Sequence, residues 1–252
     1  SANKEELLRK EQDKQQARLM ALQYQVNPHF LFNALYWLQM KVEEEGLSSE
    51  TSNAIASLGG VLHYNLSDTS HATLEQEAVH MRAYIQFMRI RHAQTIDLAL
   101  EWPDILRPVE VLRFTFQPIL ENAIHHGLIP GKDLHIRVSI APNPEDGMLR
   151  ACVSNDGQPM NASQRRQLRE RLDRAVRLGA VQDHGSIGLY NLAQRLRLYY
   201  GFRASLTLFA DDRTTGFVIE MPYDPGLTLR ESEDPIAFSE EGVSSDEFSH
   251  CG

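Results

Sequence analysis

Residues 121 to 127 read Glu-Asn-Ala-Ile-His-His-Gly, ENAIHHG, and close an apolar run that begins at Val111. The run predicts a helix over 111–127 despite Pro118, with Gly127 as its stop. Glu121, Asn122, His125 and His126 are costly to bury in such a helix unless each has a partner. Two readings follow. Either the segment is an exposed helix end, or it is a site. In the second case the carboxylate and amide offer hard oxygen ligands to a cation such as Mg²⁺, and the imidazoles offer donors to phosphate oxygens.

Downstream, the apolar runs 134–140 and 149–153 predict strands on either side of a turn-rich stretch, 142–147. The second strand ends in VSNDG, Val153 to Gly157, whose Asn-Asp-Gly is a tight-turn sequence. Residues 161–178 are polar and rich in Arg, a helix or lid. GSIGLYN, Gly185 to Asn191, is a glycine-rich loop entering a helix over 187–200, and free amides at such a helix start can cradle phosphate. Runs 204–209 and 216–221 predict a final hairpin around 211–215.

Upstream, residues 96–102 alternate with period two and predict a strand ended by Pro103. Before it the pattern is helical. Leu8, Gln12, Gln15, Leu19, Leu22 and Val26 form a heptad seam over 3–26 with two polar positions, which fits a signalling coiled coil or a plain amphipathic helix. Asn27 as N-cap and Pro28 at N1 open a second helix, 28–45, stopped by Gly46. A third spans 49–66, with Ile55, Leu58, Leu62 and Leu66 on one side. A fourth spans 74–92 and carries Val79, Tyr84, Phe87, Met88 and Ile90. NPHFLFN, Asn27 to Asn33, puts His29 in the first turn of the second helix and Asn33 one turn on, on the same face. A neutral imidazole is nucleophilic near pH 7, although a histidine at such a place also serves as an ordinary packed residue.

Helices followed by a mixed sheet with helices predict an α+β chain of two domains, with the boundary near Gln94. Residues 1–26 are then a coiled-coil helix, 27–94 a helical dimerisation region, 95–223 an α/β sandwich with helices on one face, and 224–252 a tail. The net charge is −9, and the tail carries −7 of it: eight acids against Arg230. The remainder is close to neutral and has no basic stripe, which argues against nucleic-acid binding. The acidic tail has the composition of a disordered end. The most apolar segment, 30–40, is broken by Asn33 and Gln39, well short of the roughly 20 residues a membrane span needs. The first twenty residues are too charged for a secretory signal.

ENAIHHG, a strand ending in NDG, a polar lid and then GSIGLYN before a helix resemble, in that order, the Bergerat ATP-binding fold of histidine kinases. NPHFLFN, roughly ninety residues upstream and just after a coiled coil, resembles the phosphoacceptor phrase of the LytS/YesM-type sensor kinases. The resemblance covers about residues 19–222. It implies a homodimeric protein-histidine kinase that uses ATP and Mg²⁺, with His29 as phosphoacceptor and Asn122 as Mg²⁺ ligand. Glu121 falls where a water-ordering or proton-accepting acid stands, and Asn33 where a residue could orient water in the reverse reaction. Nucleotide contacts are implied for His125, His126, Asn155, Gly157, Gly185, Ile187, Gly188, Leu189 and Asn191. The implied partner is a response-regulator receiver domain. The implied location is cytoplasmic, with any sensor and membrane anchor preceding Ser1.

Two positions depart from the pattern. Asn155 stands where most such ATPases have an Asp that reads the adenine amino group, and the second glycine of that box is replaced by the run Gln158-Pro159-Met160. An amide oxygen still accepts a hydrogen bond, without charge assistance, so ATP binding is expected to be weak. The residue after His29 is Phe30, so no adjacent acid is available as its base. The alternative consistent with these departures is a nucleotide-binding pseudokinase or signal-transmitting dimer module that performs no transfer.

Overall fold

The computed structural model describes residues 28–46, 48–65, 69–143, 146–178, 187–211 and 213–223. The heptad helix, the Asn27 cap, Gly185 and the acidic tail lie outside these residues.

Two helices open the described chain, α1 (Pro28–Glu45) and α2 (Ser49–Asn65). A three-residue strand, β1 (His71–Thr73), leads directly into α3 (Leu74–His92). Thr73 caps α3 through a capping box with Gln76, and Ala93 ends it in the left-handed region. The sandwich follows: β2 (Ile96–Glu101), β3 (Glu110–Leu112), α4 (Gln117–Gly127), β4 (Leu134–Asn143), β5 (Met148–Asn155), α5 (Ala162–Leu178), α6 (Ile187–Tyr200), β6 (Ser205–Ala210) and β7 (Thr215–Pro222).

The main sheet has the order β2-β4-β5-β7-β6, with β2 parallel to β4 and every other pair antiparallel. Strand β4 alternates as the pleat requires. Leu134, Ile136, Val138 and Ile140 are buried beneath the helices, while His135 and Arg137 face outward. From above, α4 contributes Ile119, Leu120, Ala123 and Ile124, and α6 contributes Leu189, Leu192, Ala193 and Leu196. Each of the Leu and Ile side chains stabilises the fold by roughly 1.5–3 kcal/mol on leaving water. The mixed sheet with helices on one face is the expected α+β architecture.

Two features differ from the sequence reading. The helix expected over 111–127 begins only at Gln117. Pro118 fits a first turn, where its missing N–H is not needed, and not a helix interior. Residues 110–112 instead form β3, which pairs antiparallel with β1 in a separate two-stranded ribbon. The connecting turn holds Phe114 at φ +59, a left-handed conformation that costs a non-glycine residue about 1–2 kcal/mol.

The second difference concerns Gln94. One hydrophobic core runs from Ala34 and Leu38 through Met81, Phe87 and Met88 to Ile136 and Phe217, without a break at that residue. The Gln94 amide is tied to the Ile129 and Lys132 carbonyls. Helix α3 therefore packs as part of the sandwich, while α1 packs on α2 and, through Trp37 against Phe87, on α3.

Candidate active site

Helix α4 presents its polar residues in two directions. Asn122 and His126 line a cavity of about 240 Å³, together with the turn after β5 (Gln158, Pro159, Met160) and Leu168 and Arg171 of α5. His125 and His126 are exposed, with ring centroids 4.6 Å apart. Burial, and then the neighbouring His125, lowers the pKa of His126. Glu121 faces the other way, toward the start of α6. A Cβ added at Gly188 would stand 3.8 Å from Glu121 Oε2 and 3.3 Å from Pro118 Cβ. Gln117 Nε2 donates to Glu121 Oε1 at 2.7 Å. Desolvation raises the Glu121 pKa to about 7, and the Gln117 bond opposes the shift. A carboxyl group tuned in this way is suited to accepting a proton near neutral pH.

The ends of α4 and β5 meet backbone to backbone. Gln158 N donates to Gly127 O at 2.9 Å, and a Cβ on Gly157 would lie 2.3 Å from that same oxygen. Gly157 is therefore required by close approach and not by its dihedral angles. Asn155 lies beside this contact and is buried. With its amide oriented to satisfy both neighbours, Nδ2 donates to Thr215 O and Oδ1 accepts from Gly157 N, each at 3.1 Å. The β5–β7 register, which places Asn155 opposite Thr215, sets this up. A carboxylate could not donate to the Thr215 carbonyl, which gives a local reason for Asn at this position. Asp156 turns away from the cavity. Its carboxylate accepts from His135 N and pairs with His135 Nδ1 at 2.7 Å, which raises the pKa of His135.

In α6, Leu189 is buried at 1% exposure and Asn191 is also buried. The Asn191 Nδ2 has no hydrogen-bond partner among the described residues. Ile187 opens the helix. His29 and Asn33 stand apart from these groups. They occupy the first turns of α1, where Asn33 is exposed and the His29 side chain is not described.

The sequence reading missed the residues beneath α4. Glu77 and His80 of α3, Tyr64 of α2, Arg113 and Arg195 are all buried and interlinked. Tyr64 OH donates to Glu77, which also accepts from the Phe114 N–H at 2.8 Å and so holds the left-handed turn. Arg195 of α6 donates to the Arg113 carbonyl. The visible signal was two ionisable residues, 77 and 80, on the same helical stripe as Leu74, Met81 and Tyr84.

Residues 17–96 match the family model described as histidine kinase. Over 195 residues, covering 77% of this chain, the sequence is 28% identical to the sensor protein kinase HptS of Staphylococcus aureus. Over these stretches the chain is similar to sensor histidine kinases. It spans about a third (36%) of the length of the curated relatives it matches. Similar solved structures include the catalytic domain of histidine kinase ThkA. That match has 15% identity and a TM-score of 0.45, and covers 63% of this chain and 99% of that one. Another is the histidine kinase domain of a blue-light-activated kinase from Erythrobacter litoralis, with 16% identity and a TM-score of 0.41 over 87% and 98% of the two chains. No helix among the described residues is long and apolar enough to cross a membrane.

Proposed function

We propose that this chain is the transmitter portion of a LytS/YesM-type sensor kinase. In this reading it binds Mg-ATP, phosphorylates His29 and passes the phosphoryl group to an aspartate of a response-regulator receiver domain. The observation that carries the reading is the placement of α4 between two glycine-bearing segments. Asn122 and His126 face the turn after Gly157, and Glu121 faces Gly188.

The donor set suits the implied ion. Among the described residues no cluster of His, Cys, Asp and Glu could cage a metal, while Asn122 offers one amide oxygen in an open cavity. That fits Mg²⁺, which is held mainly by phosphate oxygens and water. When bound, Mg²⁺ would neutralise charge on the β and γ phosphates. His125, His126 and the amides around Gly188, Leu189 and Asn191 would orient the nucleotide, with Gly185 and Ile187 at the entrance to the same helix.

In the transfer step the His29 imidazole forms an N–P bond to the γ-phosphorus while the bridging P–O bond breaks and ADP leaves. Glu121 would take the proton the imidazole gives up, once the unit bearing it docks on α1 of the same or the partner subunit. Residues 1–26 and 27–94 would form the homodimer, and Asn33 would orient water in the reverse reaction. A sensor and membrane anchor would come from sequence preceding Ser1, placing this portion in the cytoplasm.

One specific observation favours the pseudokinase alternative. The Asn155 amide is engaged by Thr215 and Gly157, which leaves less of it for adenine. Incubation with γ-labelled ATP and Mg²⁺ separates the readings. Label that is labile to acid and stable to base is the expected result. Calorimetric ATP binding without label would establish the alternative, and acid-stable label or free phosphate alone would point to a Ser/Thr kinase or an ATPase. Nanomolar ATP affinity would contradict the weak adenine grip expected from Asn155.

A further inference from the structure

Below Glu121 lies a buried chain of side chains that the proposed chemistry does not use. His80 Nε2 stands 2.6 Å from Gln117 Oε1, and Gln117 Nε2 donates to Glu121 Oε1 at 2.7 Å. His80 and Gln117 are each 1% exposed. The amide fixes the polarity of the chain. An ionised Glu121 can only accept, so Gln117 must turn its nitrogen toward it and its oxygen toward His80. His80 then carries its hydrogen on Nε2. Its Nδ1, which has no hydrogen-bond partner among the described residues, keeps only a lone pair. The reverse polarity, with a protonated Glu121 donating to Gln117, would put the imidazole hydrogen on Nδ1. Nδ1 is unmatched in either polarity, as a lone pair in the first and as a donor in the second.

The imidazole itself is clamped by neighbours from other elements. Tyr64 of α2 stacks on it at 4.2 Å with an interplanar angle of 19°, and Phe114 meets it edge-on at 5.5 Å. Tyr64 is fixed in turn by its bond to Glu77 and by the Arg113 guanidinium 4.1 Å from its ring centroid. Burial pushes the pKa of His80 down to about 4, so it stays neutral and cannot answer Glu121 by taking up a proton.

The geometry points to His80 as a positioning residue. Through Gln117 it holds Glu121 Oε1, leaves Oε2 facing Gly188, and makes that orientation depend on how α2 packs through Tyr64. The inference rests on the reading of Glu121 as the proton acceptor, and it deepens that reading. The groups facing Glu121 are Gln117 on its own helix, Tyr84 on α3 and Gly188 on α6. Tyr84 is kept protonated by burial and by the Glu121 charge, so it does not titrate near neutrality.

The test uses the full chain and three variants, His80→Phe, His80→Asn and His80→Gln. Gln can bring an amide N–H to the place of Nε2, Asn falls short of it, and Phe fills the space without a donor. Carbon-13 NMR of the Glu121 carboxyl, without nucleotide, reads the chain independently of phosphoryl transfer. At a fixed pH above neutrality, His80→Phe and His80→Asn are expected to move the Glu121 carboxyl resonance from its place in the parent chain and to lower kcat for labelling about tenfold, with KM for ATP unchanged. His80→Gln should restore both. If His80→Phe does not fold, the comparison of Asn with Gln carries the test. A Glu121 carboxyl resonance in His80→Asn equal to that of the parent chain, or no recovery in a folded His80→Gln, overturns the inference. A parent chain that never labels, yet shows the NMR shifts, overturns the kinase reading instead.

Discussion

With His29 replaced by alanine, the chain is expected to take up no acid-labile phosphate while binding ATP as before. The imidazole is the proposed nucleophile, and the phrase NPHFLFN holds no second histidine to replace it. Binding should survive because the proposed nucleotide contacts lie on α4, α6 and the turn after β5, whereas His29 sits on α1, which packs on α2 and α3. Radiolabelling and calorimetry on the same preparation check both halves. Residual acid-labile label at more than a few per cent of the parent level would mean that another histidine is the acceptor. A mixture of His29→Ala with Glu121→Gln then reports the geometry of transfer. Label on the Glu121→Gln chain requires the partner's catalytic unit to reach across.

Glu121→Gln is expected to lower labelling by about 10²–10⁴-fold, the usual worth of a positioned general base, and at the same time to stabilise the fold above neutral pH. The sign follows from the raised carboxyl. Relative to an unfolded value near 4.5, a folded pKa near 7 means that the group's contribution is fully present below about pH 4.5 and is lost as pH rises through 7. A glutamine does not ionise and so escapes that loss. The gain at pH 8 is on the order of 2 kcal/mol after allowing for partial exposure, or several degrees in Tm, and it should vanish at pH 4. Melting curves at the two pH values decide it. Equal melting temperatures at pH 8 would show that Glu121 is not strained by burial, and its role as a tuned base would go with that result.

The regular elements of this fold are written plainly in the sequence. Helices α1, α3 and α6 occupy the residues that their caps and periodicity indicate, and the sheet strands lie within a few residues of the alternating runs. What could not be read was which faces are buried. In α2 the large apolar Ile55 is 44% exposed while Thr51 and Ala54 are buried, and in α3 Val79 is 58% exposed while Glu77 and His80 are fully enclosed. Hydropathy ranks those residues in the opposite order. Their burial depends on partners from distant sequence, the Phe114 and Phe116 amides for Glu77 and the Gln117 amide for His80, and no local pattern announces such partners. The β1–β3 ribbon was invisible for a related reason. Three residues per strand are too few to show alternation.

The candidate site shows the same division. ENAIHHG, NDG and GSIGLYN stood out because glycines and successive polar groups are conspicuous in apolar surroundings. The residues that aim Glu121 did not, because histidine and glutamine are unremarkable until their neighbours are known.

The left-handed turn at Phe114 bears on where this polypeptide can be divided. Its conformation is held by Glu77, and β3 beside it has its partner strand in residues 71–73. A fragment beginning after Gln94 would lose the carboxylate, the partner strand and the α3 side chains that complete the core. It would have to close an unfavourable turn next to the helix that carries Glu121. The smallest autonomous piece of this protein therefore starts ahead of Thr69, so α3 belongs to the sandwich as its first structural member.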